Sequence, residues 1–289
     1  MKRQRNYNKI RRWVICYDLH YPKHDEPTWR AIKDFIVRNR VDGFVLAGDN
    51  FNNEQVSHHT RGKAMLRSRG GYLNEIREFD RDILKPVEKL LPRGATKVWL
   101  DGNHEAWSDQ LIEEQPELDG LQHRYQLRLK ERDWKVVRQG RIHKIGKLSV
   151  IHGDIISGGS ANAARKAVEL FVSNVVLGHF HSPSSCSRIS PRKPSQKWMA
   201  WVSPIAGDCD ADYLKGKATG WMNGCVIVES WSSYFNLYPV IIVNGTFAYG
   251  GKLYGRKPNG KNNATHGKDR ICKTARKRRK RNISTQRTR

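Results

Sequence analysis

Five short apolar runs along the chain are rich in β-branched and aromatic residues, and each leads directly into Gly, Asp or His. Runs of this length with such boundaries predict mostly buried strands. They occupy residues 12–18, 42–49, 96–103, 147–154 and 174–181. Helical patterns lie between several of these runs, and strands that alternate with helices predict an α/β domain.

Three segments have the apolar spacing of amphipathic helices, namely residues 26–40, 72–91 and 161–171. Pro86 falls inside the second segment and predicts a kink or a break there. Ser160 precedes the third segment and is a candidate N-cap.

From about residue 197 the pattern changes to apolar runs joined by short connections, which predicts an antiparallel sheet or meander. We therefore divide the chain into a basic N-terminal arm at residues 1–11, a folded domain at 12–250 and a Lys/Arg-rich tail at 251–289.

Composition limits the class of protein. The 289 residues are 38% hydrophobic and include nine Trp, which argues against general disorder. The five cysteines lack a CxxC pair and predict a reducing compartment rather than a zinc ribbon. No apolar run approaches the roughly 18 residues that span a bilayer, and no secretory signal is evident. We expect a soluble protein of the cytoplasm, of a host cell if a phage encodes it, and expect no membrane partner.

Positive charge is concentrated at one end of the chain. The net charge is +25, and residues 251–289 hold 15 Lys and Arg against a single acid, Asp269. Like charges at this density predict a disordered tail that is attracted to polyphosphate. The tail is thus a candidate nucleic-acid clamp, with a solubilising or localisation tail as the alternative.

Polar residues with one chemical theme follow the five predicted strands. They are Asp18, His20, Asp49, Asn103, His104, His152, His179 and His181. Ligands of open α/β sheets bind outside the carboxyl ends of strands, so these side chains are candidates to converge. Each has an ordinary alternative as a turn, cap or core residue, and only the joint pattern is informative. A mixed carboxylate, amide and imidazole set without thiolates favours first-row divalent metals.

The ordered motifs DxH, GD, GNHE, HGD and GHxH resemble those of the calcineurin-like metallophosphoesterase superfamily over residues 12–205. Similarity to phage- and prophage-type members extends to Val56-Ser57, to residues 208–210 and to Tyr213, Trp221 and Gly224. The GDNFN sequence at 48–52 lacks the GDxxDRG extension of Ser/Thr protein phosphatases. Protein dephosphorylation is therefore a less favoured function. Glu105 stands where many relatives have Asp.

The resemblance implies an αββα sandwich of two mixed β-sheets flanked by helices. It also implies two divalent ions, with Mn²⁺ preferred and Fe, Zn, Ni or Mg as alternatives. Asp18, His20 and His181 would hold one ion, Asn103, His152 and His179 the other, and Asp49 would bridge them. A metal-activated water would attack phosphorus in line, with His104 as general acid or charge stabiliser at the leaving oxygen. Glu105 and Asp154 are candidates to orient an imidazole.

The function expected from these features is a dinuclear metal-dependent phosphodiesterase or nuclease acting on nucleic acid or nucleotides. Arg61 and Arg67 follow the second motif and are candidate substrate-binding residues, with a solvated helix face as the alternative. A phosphomonoesterase for a small substrate and a non-catalytic nucleic-acid-binding protein are the alternative functions. The oligomeric state stays open.

Overall fold

The computed structural model describes residues 9–60, 62–63, 70–210 and 219–255. The strands in these ranges are β1 Arg11–Cys16, β2 Gly43–Ala47, β3 Thr96–Leu100, β4 Trp134–Val137, β5 His143–Ile145, β6 Leu148–Val150, β7 Asn174–Leu177, β8 Ser184–Ile189, β9 Lys197–Val202, β10 Gly224–Trp231, β11 Tyr234–Ile241, β12 Phe247–Tyr249 and β13 Lys252–Tyr254. The α-helices are α1 Glu26–Arg38, α2 Tyr72–Phe79, α3 Lys85–Leu90, α4 Asn103–Glu114, α5 His123–Gln126 and α6 Ala163–Phe171.

Two mixed sheets form the centre of the fold. The first has the order β11-β10-β1-β2-β3-β4, in which β1 to β4 are parallel and β10 pairs antiparallel with β1. The second has the order β5-β6-β7-β9-β8, with β6, β7 and β9 parallel. The predicted α/β class with two mixed sheets flanked by helices is confirmed.

Three apolar clusters show the layers. Ile15 and Val45 from the first sheet pack with Val150 and Val176 from the second, so the two sheets face each other. The opposite faces are covered by helices: α1 to α3 bury side chains such as Phe35 against the first sheet, and α6 packs on the second. Strands buried on both faces explain why the runs in the sequence are continuously apolar.

Helix α1 shows how local signals and packing combine. The Asp25 side chain accepts a hydrogen bond from the Thr28 amide at 2.8 Å and caps the helix. Trp29, Ile32 and Phe35 are buried on one face, as their spacing predicts. The predicted helices thus exist, with ends a few residues from the expected positions.

The structure tests two predictions about helix ends, the break at Pro86 and the N-cap at Ser160. A π-helical segment, Asp80–Leu84, joins α2 to α3 just before Pro86, and the Lys85 amide bonds to the Asp80 carbonyl. This confirms a disruption at Pro86, which has no amide hydrogen to donate. The N-cap predicted at Ser160 is wrong: Ser160 begins a 3₁₀ turn, Ser160–Asn162, and Asn162 is the N-cap of α6.

The late apolar runs belong to two sheets, so the expectation of an antiparallel sheet or meander is confirmed for β10 and β11 and wrong for β9. Strand β9 joins the second sheet between β7 and β8, whereas β10 and β11 form a hairpin on the first sheet. Short connections indicate local hairpins, but they do not determine which sheet edge a strand joins, because that depends on the open edges available.

The compact unit spans Met1–Arg256, and a second unit, Lys257–Arg289, lies wholly outside the described residues. Near the end of the described chain, β12 and β13 form a hairpin that buries Tyr254. The Tyr254 ring centroid lies 5.0 Å from that of Phe35 and 5.1 Å from that of Phe247. The described chain therefore packs on the core through residue 254. In the described parts of the chain, no helix is long and apolar enough to cross a membrane.

We predict that Tyr254→Ala lowers the free energy of unfolding by about 3 kcal/mol, as loss of a buried aromatic ring does elsewhere. Leu253→Ala on the same strand is the matched control, since Leu253 is 45% exposed, and it should change stability by less than about 0.5 kcal/mol. Urea unfolding of the full chain measures both. Equal midpoints for the two variants would contradict this account of the hairpin.

Candidate metal centre

Side chains from both sheets meet at one edge of the sandwich. Asp18 and His20 follow β1, Asp49 follows β2, Asn103 begins α4 after β3, His152 follows β6, and His179 and His181 follow β7. All seven side chains come from the carboxyl ends of parallel strands, where ligands bind in α/β sheets.

The first group of potential ligands joins the two sheets. The ligand atoms of Asp18, His20 and His181 lie within 4.8 Å of one another. The His181 Nε2 atom is 3.4 Å from Asp18 Oδ1 and 3.3 Å from His20 Nε2. These three side chains were predicted to hold one ion, and the structure brings them together.

The second group is centred on Asp49. Its ligand atoms and those of His152 and His179 also lie within 4.8 Å of one another. The His152 Nε2 atom is 3.2 Å from Asp49 Oδ2 and 3.2 Å from Asn103 Oδ1. Asp49 forms a further group with His20 and His104, so its carboxylate stands between the two predicted ligand groups.

Five of these residues have left-handed backbone conformations. The φ angles are 51° at Asp18, 49° at His20, 49° at Asp49, 66° at His179 and 62° at His181. Such conformations are uncommon for residues other than Gly, and they cluster at functional sites. The paired residues of DxH and GHxH thus converge through left-handed turns beyond the strand ends.

Glycine is required at two positions for the side chains to approach. A Cβ atom at Gly102 would lie 2.3 Å from Asp49 Oδ1, and one at Gly48 would lie 2.4 Å from His152 Nδ1. Gly48 also has a φ of 97°, a conformation that L side chains rarely adopt.

Charges within the site shift several pKa values. Burial and the nearby His104 lower the pKa of His20 to about 3. Burial acts to lower the pKa of His152, but the Asp49 carboxylate outweighs it and raises the value to about 10. Burial acts to raise the pKa of Asp49, but His104 and His152 hold it well below its usual range. The carboxylate of Asp49 and that of Asp18, whose pKa is also lowered, are therefore ionised.

The donor set fits divalent metal ions. Ionised carboxylates, an amide oxygen and a neutral His20 imidazole are ligands that first-row divalent ions accept. His181 Nδ1 is buried and has no hydrogen-bond partner among the described residues. No described hydrogen bond at Nδ1 therefore competes with metal binding by this ring. The residues that the strand ends bring together thus form a candidate metal-binding site.

His104 is positioned beside the predicted ligands by its own backbone and ring. Its amide donates to Asp49 Oδ1 at 3.0 Å, and its Nδ1 is 2.9 Å from the Asn52 carbonyl oxygen. An Nδ1–H donating to this carbonyl leaves Nε2 available, 3.7 Å from Asp49 Oδ2. The ring lines a pocket of about 430 Å³.

Glu105 has a role that the sequence analysis missed. This fully buried carboxylate accepts hydrogen bonds from four amides, those of Gly102, Asp49, Asn50 and Phe51, at 2.8 to 3.2 Å. Burial and the Asp49 charge raise its pKa to about 7. The available signal was Glu three residues after the N-cap Gly102, the spacing of a capping box.

The two candidates for orienting an imidazole hydrogen-bond elsewhere. The Glu105 carboxylate accepts its described hydrogen bonds from backbone amides, and Asp154 accepts from the Gln139 side chain. Burial acts to lower the pKa of His152, and Asp49 raises it most strongly. The nearby Asp154 adds a smaller effect in the same direction as Asp49.

The pocket over the site has aromatic and charged walls. Trp107, Trp221 and Lys23 contribute to the lining together with the carboxylates of Glu54 and Asp208. The Lys23 ammonium pairs with Glu54 at 2.8 Å. The candidate substrate-binding residues Arg61 and Arg67 lie outside the described residues.

The comparison with protein families agrees with this geometry. The family described as calcineurin-like phosphoesterase matches residues 12–202, more than half of the chain. The chain belongs to this calcineurin-like phosphoesterase family, and membership supports a hydrolase acting on phosphoester bonds. No curated protein matches the chain.

Solved structures similar to this chain include two Vps29 proteins and one nuclease. A single-mutant Vps29 from Entamoeba histolytica is 11% identical, with a TM-score of 0.41, covering 82% of this chain and 96% of its own. Vps29 from Cryptosporidium parvum is 10% identical, with a TM-score of 0.42 and coverages of 84% and 94%. The Pseudomonas putida nuclease MPE is 13% identical, with a TM-score of 0.32 and coverages of 78% and 86%.

We predict that Glu105→Gln lowers the free energy of unfolding of the metal-free protein by about 3 kcal/mol. The amide has one acceptor oxygen in place of two, which leaves buried N–H groups without partners. Glu113→Gln on the exposed part of α4 is the matched control and should be neutral. Urea unfolding in EDTA measures stability independently of metal binding. A neutral Glu105→Gln would show that the four hydrogen bonds do not hold the loops.

Proposed function

We propose that this protein is a phosphodiesterase that uses two divalent metal ions, with Mn²⁺ preferred, to hydrolyse nucleic acid or nucleotides. The observation that carries the proposal is the convergence of six carboxylate, amide and imidazole side chains around Asp49, with His104 beside them. A phosphoesterase family match over the same strands supports it.

Each half of the fold would contribute to both ligand groups. We assign Asp18, His20 and His181 to one ion and Asn103, His152 and His179 to the other, with Asp49 shared between them. Bound divalent ions would supply an activated water and neutralise charge on the phosphoryl oxygens. This assignment agrees with the groups of ligand atoms within 4.8 Å of one another.

We assign to His104 the protonation or charge stabilisation of the leaving oxygen. The contact between its Nδ1 and the Asn52 carbonyl holds the ring, so that Nε2 is the atom available to the substrate. An imidazole held in this way is a suitable general acid because its orientation is set before substrate binds.

Charge in the pocket supports a diester over a monoester. Lys23 is paired with Glu54, and Asp208 adds a second carboxylate to the wall. A phosphodiester carries one negative charge, whereas a monoester carries up to two, so the Asp208 carboxylate repels a monoester more strongly. The net charge of +25 across the chain supports a polyanionic substrate or partner.

We place the protein in the cytoplasm as part of this proposal. Cys16, Cys186, Cys209 and Cys225 are free thiols in the described residues, which suits a reducing compartment.

The first test compares substrates in Mn²⁺. We expect turnover of an aryl phosphodiester and of at least one among single-stranded DNA, double-stranded DNA and RNA, with little turnover of an aryl phosphomonoester. EDTA and Asp49→Ala should each abolish the activity, because metal binding is lost. His104→Ala should keep metal binding, measured by calorimetry, and lose about 10²–10⁴-fold in kcat.

Other results of this test would favour the alternatives. Turnover of the monoester with intact nucleic acid would overturn the diesterase proposal in favour of a phosphomonoesterase. No turnover of any substrate, together with DNA binding that Asp49→Ala leaves unchanged, would indicate a non-catalytic nucleic-acid-binding protein.

The second test concerns the basic tail as a nucleic-acid clamp. A chain that ends at residue 255 keeps Tyr254 and removes most of the tail charge. We expect it to bind single-stranded DNA more weakly than the full chain and with a shallower dependence on salt, because fewer counterions are released. Fluorescence anisotropy over a range of salt concentrations measures both. Equal affinity and equal slope would rule out the clamp.

A further inference from the structure

Two tryptophans stand at opposite ends of a row of rings that crosses the candidate metal centre. The ring centroids of Trp107 and His104 are 4.0 Å apart, and those of His104 and His20 are 4.7 Å apart. The row continues from His20 to His181 at 5.2 Å and from His181 to Trp221 at 4.3 Å. Both tryptophans line the pocket.

These two side chains differ from the core tryptophans of the protein. Trp29 and Trp99 are fully buried in the apolar cluster beside α1. Trp107 and Trp221 are instead half-buried and belong to none of the three apolar clusters. Their position is therefore not explained by packing of the core.

The two tryptophans come from independent elements that are each tied to the site. Trp107 lies three residues after His104 on α4, so both side chains are on one face of the helix. Trp221 precedes β10, and the neighbouring Met222 amide donates to the His181 carbonyl at 3.3 Å. Each ring is thus held next to one predicted functional histidine.

We propose that Trp107 and Trp221 bind the two nucleobases that flank the scissile phosphate of a diester, one on each side of the metal centre. This rests on the proposed function. Because His104 is assigned to the leaving oxygen, Trp107 stacks on the base of the leaving nucleoside and Trp221 on that of the retained nucleoside. Stacking of a base on an aromatic side chain is tolerant of sequence, so the pocket selects nucleoside diesters without selecting one base.

The test uses two substrates that share p-nitrophenol as the leaving group. Thymidine 5′-(p-nitrophenyl phosphate) retains a nucleoside, and methyl p-nitrophenyl phosphate retains only a methyl group. We expect the wild-type protein to prefer the thymidine substrate by about tenfold in kcat/KM. Trp221→Leu should remove this preference through KM, and Trp221→Phe should keep most of it. Trp107→Leu should raise KM for both substrates, because both have an aromatic leaving group.

Trp231→Leu is the control, since Trp231 lies at the end of β10, stacks on Tyr234 and does not line the pocket. It should leave both substrates unaffected. Equal losses of kcat for both substrates in Trp221→Leu would show a structural role and overturn the proposal. A wild-type protein that hydrolyses both substrates equally would also overturn it, while leaving the diesterase function intact.

A binding measurement separates failure of this proposal from failure of the proposed function. Equilibrium dialysis of dithymidine monophosphate with the metal-free protein reports stacking without turnover. We expect each Leu variant to bind about tenfold more weakly than the wild type. If binding depends on the tryptophans but no diester is hydrolysed, the proposed phosphodiesterase function is refuted and the base-binding proposal stands. Binding that both Leu variants leave unchanged would refute the base-binding site.

Discussion

The candidate metal centre depends on one buried carboxylate that is not itself a predicted ligand. Glu105 accepts hydrogen bonds from the amides of Asp49, Asn50 and Phe51 and from that of Gly102. These amides belong to the loops that follow β2 and β3, so one side chain joins two strand ends. The joined loops place Asp49 and Asn103 on the same side of the site.

The two sheets share the construction of the site. Asp18, Asp49 and Asn103 come from the first sheet, whereas His152 and the GHxH histidines come from the second. The apolar cluster between the sheets therefore sets the separation of the two halves. Close packing in protein interiors resists small displacements. The apolar side chains between the sheets therefore help to set the distances between ligand atoms, although they lie away from the pocket.

The left-handed residues at the strand ends carry a conformational cost of order 1 kcal/mol or more each. Contacts around them offset that cost. The His20 amide donates to the Asp49 carbonyl at 2.9 Å, and the His179 amide donates to the Asp18 carboxylate at 3.0 to 3.1 Å. The strained turns of one strand are thus held by groups from its neighbours, so the site forms only when both sheets are in place.

By itself, the sequence determined the five strand ends with their motifs, the amphipathic helices and the α/β class, because apolar periodicity and turn residues act locally. The tertiary structure alone decided that β9 and β10 join different sheets. It also decided that Glu105 holds two loops and that Trp107 and Trp221 face one pocket. These features join residues that are often more than 50 positions apart, and spacing along the chain carries no information about which distant groups meet.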